Sequence, residues 1–162
     1  MKLKKIFLSG VALISALTIS SCGSTSTVAY HPNTIECMGV ELDGSQTLRA
    51  SGTGRNKQDA IEQAWKNAVN AVMFQGIRDG AKGCDVRPLI NEPNAREKYE
   101  DYFNLFLTDG GDYQEYCSTI DERFHSKQKY KSKEQVVYIV TVRVLRSELK
   151  KRLQDDNVLP RK

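Results

Sequence analysis

The chain has 162 residues, with 24 Lys or Arg against 20 Asp or Glu and a formal charge of +4. That length suits one domain with its own core plus flanking segments. Lys2, Lys4 and Lys5 supply three of the basic residues, and setting them aside leaves 21 against 20, which removes the basic excess that nucleic-acid binding requires; no nucleic-acid partner is expected.

Those lysines open an export signal: a basic start, a mostly apolar run from Ile6 to Ile19, then small residues at Ser20 and Ser21. The run falls short of the about 20 apolar residues that span a bilayer, and Ser9, Gly10, Ser15 and Thr18 interrupt it. Ile19-Ser20-Ser21-Cys22 resembles the lipobox of bacterial lipoproteins. The resemblance implies cleavage before Cys22, lipid on its sulfur and attachment to a membrane through that lipid, since two or more acyl chains anchor stably. Gly23 stands where an inner-membrane retention signal would often carry Asp, so the expected location is the cell envelope, at the outer membrane more than the inner. The expected organisation is a signal peptide over residues 1–21, a lipidated tether over 22–33, one domain over 34–155 and a loose tail over 156–162.

Along the domain, residues 35–42 and 46–53 read as strands joined at Asp43-Gly44, a hairpin turn signal. Asn56 is positioned to cap a helix over 56–77, whose Ile61, Ala64, Trp65, Ala68, Val69, Val72 and Met73 recur at helical spacing. A loop with Cys84, Pro88 and Ile90 follows. A second helix begins near Pro93, carries Tyr99, Tyr102, Phe103, Phe106 and Leu107, and stops at Asp109-Gly110-Gly111. Strands over 113–130 and 135–145 form a long hairpin, and a short helix over 147–154 has Leu149 and Leu153 four residues apart.

The fold class is therefore α+β: an antiparallel sheet of about four strands with helices packed on one face, in the order ββααββα. Alternation assigns Met38, Val40, Leu42, Leu48, Ala50, Val140, Val142 and Val144 to the covered face, and Ile35, Cys37, Cys117, Val137 and Ile139 to the other. A partner, or the loop around Cys84 to Ile90, is expected to cover that second apolar patch. Cys37 and Cys117 share parity, which permits a disulfide if their strands are neighbours; a buried, unpaired cysteine is the other reading.

The motifs that could carry chemistry are sparse. Gly52-Thr53-Gly54 lies between strand and helix, where phosphate loops sit, but it lacks a third glycine and the GK[ST] ending, and a sharp turn explains the glycines. His31 and His125 are far apart, and the three cysteines besides Cys22 have no CxxC spacing, so no metal site, catalytic residue or cofactor is expected. Arg123, His125, Lys127, Lys129, Lys131 and Lys133 recur every second residue. They fit either contact with an anionic surface or a lysine-rich edge that resists strand pairing.

Ala50-Ser51-Gly52-Thr53-Gly54, the helix with Ala60, Ala64, Ala68 and Ala71, and Val140-Thr141-Val142-Arg143-Val144 leading to Leu149 and Leu153 resemble small envelope lipoproteins related to the amino-terminal domain of flagellar assembly protein T. Residues 82–111 form an insertion beyond that pattern. The resemblance implies a non-catalytic domain for envelope structure, assembly or protein binding, with an envelope protein as partner. The alternative is a small periplasmic or surface ligand-binding protein or hydrolase, with a site near residues 82–111 where loop and helix form a cleft.

Overall fold

A computed structural model describes residues 34–81, 83–120, 127–131 and 135–161. All described residues belong to one compact unit, Pro32–Lys162. The expected signal, the tether with Cys22, and Arg123 and His125 lie outside the described residues.

In chain order the elements are β1 (Ile35–Val40), β2 (Gln46–Gly54), α1 (Lys57–Asn70), β3 (Asp79–Gly80), α2 (Ala95–Lys98), α3 (Glu100–Phe106), β4 (Cys117–Thr119), β5 (Lys127–Lys131), β6 (Val136–Val144) and α4 (Arg146–Asp155). The sheet runs β3-β1-β2-β6, and both β4 and β5 pair with β6 on the side away from β2. Pairing is antiparallel except between β3 and β1. The fold is thus α+β, but its order is ββαβααβββα and not ββααββα.

Three local causes account for the extra elements. Gly80, at φ 117°, lets the chain lie beside Cys37 as the short β3. Tyr99, at φ −116° and ψ 35°, breaks the second helix into α2 and α3. A 3₁₀ turn, Asp112–Tyr116, takes the place of the expected strand start before β4.

The Asn56 carboxamide does cap α1, accepting the amide of Asp59 at 3.0 Å. The helix continues through a π-helical turn, Ala71–Gln75, and ends at Gly76, φ 74°. Leu89 and Ile90 donate their amides to the carbonyls of Val72 and Met73 at 3.0 and 2.9 Å, so loop 83–91 satisfies acceptors that a helix end leaves open. That loop lies along the end of α1. It does not fold over the opposite sheet face.

Leu48, Ala50, Val140, Val142 and Val144 are buried on one face, against Ala60, Ala64 and Ala68 of α1 and Leu149 and Leu153 of α4. Phe103 fills the remaining side, its ring 4.8 Å from Phe74 and 5.2 Å from Tyr102. The alternation assigned to β1 needs correction. Ile35 pairs with Ala50 and Cys37 with Leu48, so both face the helices, and a bulge at Met38 resets the phase. Val40, opposite Gln46, keeps the expected face, yet Met38, Val40 and Leu42, expected inside, are exposed at 44%, 46% and 110%. Cys117 pairs with Val144 and also faces the core.

Residues 156–159 also differ from the expected loose tail. Asn157, at φ 58°, closes α4 with its amide on the Gln154 carbonyl, and the Val158 amide reaches the Leu153 carbonyl at 2.8 Å. This is a Schellman stop with Asn in the left-handed position, and it buries Val158 against the core.

Candidate functional site

The site begins at the hairpin tip. Asp43 accepts the Ser45 amide at 2.9 Å and the Ser45 hydroxyl at 2.6 Å, while Arg143 donates to Asp43 Oδ2 at 2.6 Å and to Ser45 Oγ at 2.8 Å. The Ser45 hydrogen bonds, with Arg143 adding its charge, hold the Asp43 carboxyl below the usual aspartate range. The turn stays tight because Gly44 adopts φ 79°, as the Asp43-Gly44 pair predicts. A Cβ on Gly44 would stand 2.6 Å from Ser147 Oγ, so the glycine also keeps open the space beside the start of α4.

Gln46 follows at the start of β2, opposite Val144, and two residues beyond Val144 the chain enters α4 at Arg146. Strand pairing thus sets Gln46 beside the head of α4, although about a hundred residues separate them in sequence. Loop 83–91 closes the third side. Cys84 is disulfide-bonded to Cys37, with Cα atoms 6.4 Å apart. Arg146 Nη2 lies 2.9 Å from Asp85 Oδ2 and donates to the Arg87 carbonyl at 2.7 Å.

These parts enclose a cleft of about 330 Å³ lined by Val40, Gln46, Leu89, Arg146, Ser147 and Lys150 among others. A neighbouring hollow of about 720 Å³ shares Leu89, Arg146 and Lys150 and extends to Val158 and Leu159. Gln46 is 1% exposed, and neither Oε1 nor Nε2 has a hydrogen-bond partner among the described residues. Arg146 Nη1 is buried in the same condition. Burial pulls Arg146 below the usual guanidinium value against the opposing pull of Asp85, but an arginine stays charged.

The sequence-predicted residues mostly lie elsewhere. Cys37 bonds to Cys84, so the Cys37–Cys117 pairing does not form. The two cysteines do face the same way, but β2 and β6 intervene, and three strand spacings put them roughly 14 Å apart. Cys117 is a buried free thiol that donates to the Tyr113 carbonyl at 3.4 Å, and burial pushes its pKa up to about 12. We expect Cys117 to resist iodoacetamide at pH 8 until denaturant is added, and non-reduced peptide mapping to return Cys37 linked to Cys84. A Cys37–Cys117 peptide would contradict both statements.

Gly52 and Gly54 serve packing. A Cβ on either would run into the α1 backbone at Ala60, and Asn56 already caps that helix start. Lys127 and Lys129 fall on β5, where the register shifts between Gln128 and Tyr130, so the two-residue alternation is interrupted at Lys129. Among the described residues no three His, Cys, Asp or Glu gather as metal ligands, and no helix is long and apolar enough to cross a membrane. Of residues 82–111, Gly83, Asp85 and Leu89 line the cleft at Gln46, all from the loop before α2.

Gln46, Arg146, Ser147 and Lys150 were not anticipated as site residues. One signal was present: Gln46 shares the phase of Leu48 and Ala50, a polar side chain at a core position. No protein-family model, curated protein or solved structure matches the chain.

Proposed function

We propose that this chain is a lipid-anchored, non-catalytic protein of the bacterial cell envelope, attached through Cys22 and acting as a structural, assembly or protein-binding module. The export signal and the lipobox-like Ile19-Ser20-Ser21-Cys22 support the compartment and the anchor, with the outer membrane favoured by Gly23. The observation that carries the contact role is the exposure of Met38, Val40 and Leu42 on and just beyond β1. Beyond the two residues of β3, no described strand flanks β1, so main-chain groups and apolar side chains are offered together. An open edge with apolar side chains is a surface onto which a partner can add a strand.

The test is capture of envelope proteins by the full chain after mild crosslinking in its host. Val40→Asp with Leu42→Asp changes two exposed residues and is expected to cut capture of any specific envelope partner by about tenfold or more, with the fold intact. Undiminished capture by that variant would reject this surface. A second reading, a ligand-binding protein, is favoured by the cleft at Gln46 and Arg146.

A further inference from the structure

We infer that the cleft at the head of α4 is a binding site for a protonated phosphate group, held between Gln46, Arg146, Ser147 and Lys150. This inference does not rest on the contact-module reading. It starts from Gln46, whose carboxamide is buried with donor and acceptor both lacking partners among the described residues. A buried polar pair is costly unless something supplies the complementary groups.

The surroundings specify the charge of that complement. Arg146 commits Nη2 to Asp85 and to the Arg87 carbonyl, while its buried Nη1 has no partner among the described residues. Ser147 and Lys150 line the same cleft, and Lys150 pairs with no described carboxylate. The first turn of α4 is uncapped: Leu145 at the N-cap makes no side-chain bond, so the leading amides and the helix dipole also favour an anion. Asp85 lines the cleft too, but Arg146 already neutralises it.

Gln46 narrows the choice. Its Nε2 asks for an acceptor, which any oxyanion offers. Its Oε1 asks for a donor, which sulfate and carboxylate lack at neutral pH and hydrogen phosphate carries. A phosphate monoester in its singly protonated form carries one as well. The cleft, at about 330 Å³, has room for that group and part of what it is attached to.

Calorimetric titration of the purified full chain with inorganic phosphate and with sulfate tests the assignment. Phosphate is expected to bind at least about tenfold more tightly than sulfate, because a site built to hydrogen-bond a hydroxyl discriminates against an analogue without one. Gln46→Leu should erase that preference, and the exposed Lys150→Ala should weaken both anions together while leaving the preference. Glycerol phosphate and vesicles of phosphatidic acid in phosphatidylcholine, used as competitors, separate the sources. Displacement of phosphate by the first assigns a soluble ligand, and displacement only by the second, with phosphatidylcholine alone inert, assigns a lipid headgroup. No phosphate binding by the folded wild-type chain, or equal affinity for sulfate, would overturn the inference.

Discussion

Gly52→Val is expected to leave the chain largely unfolded at 25 °C, and Gly52→Ala to cost about 3 kcal/mol or more, read from urea unfolding midpoints. Gly52 sits in β2 opposite Tyr138, directly beneath α1. A Cβ there would overlap the Ala60 carbonyl and the Ala64 amide nitrogen and lie 2.9 Å from Ala64 Cα. All three are helix backbone, so no side chain can swing aside; α1 would have to lift from the sheet along a face built on Ala60, Ala64 and Ala68. Lifting it opens the core between α1, β2 and β6, and total stability for a domain of this size is only about 5–15 kcal/mol. Gly39→Ala is the control, since a Cβ at Gly39 meets nothing within 4 Å. A Gly52→Ala variant within about 0.5 kcal/mol of the wild type would show that this contact is not as close as described.

The second large effect belongs to the Cys37–Cys84 bond. Its 47-residue separation makes loop-closure entropy worth about 4 kcal/mol in the chain-entropy account, and the Cys37→Ser, Cys84→Ser double variant should lose about that much. The loss has a local component. Loop 83–91 would keep its backbone bonds to Val72, Met73 and Ile77, but its Asp85 end would lose the covalent tie to β1 and rest on those bonds and on the contacts of Arg146 with Asp85 and the Arg87 carbonyl. Phosphate affinity should therefore fall along with stability in the double variant. A change of less than about 1 kcal/mol would mean that the loop is held in place without the bridge.

The parts legible in the sequence are those fixed by neighbouring residues. The spacing of Ile61, Ala64, Ala68 and Val69 identifies α1, Asn56 identifies its start, and Asp43-Gly44 identifies the hairpin, because each signal acts within a few residues. Leu149 and Leu153 likewise mark α4, and the valines of 136–144 mark β6. Phase and partnership were less accessible. One bulged residue at Met38 puts Ile35 and Cys37 on the same face as Val40, and nothing local announces it. Cys37 and Cys117 share a face, but which strands lie side by side depends on the closure of the whole sheet, and β6 takes the position next to β2. The Asn157 stop depends on a left-handed residue that is more often glycine.

The candidate site was legible only as a region. Residues 82–111 read as an insertion able to form a cleft, yet the groups that give the cleft its chemistry come from the start of β2 and the start of α4. No motif links Gln46 to Arg146 across that interval. Their meeting follows from the pairing of Gln46 with Val144, a long-range contact that only the folded sheet defines.

Attachment through Cys22 underlies the proposed role, because a contact module must be held where its partner is. The direct measurement is palmitate labelling of the full chain in its bacterial host, compared with Cys22→Ser. The account predicts a labelled wild-type protein that sediments with membranes and an unlabelled variant that does not. A wild-type chain without label, or a variant that keeps it, would contradict the anchor.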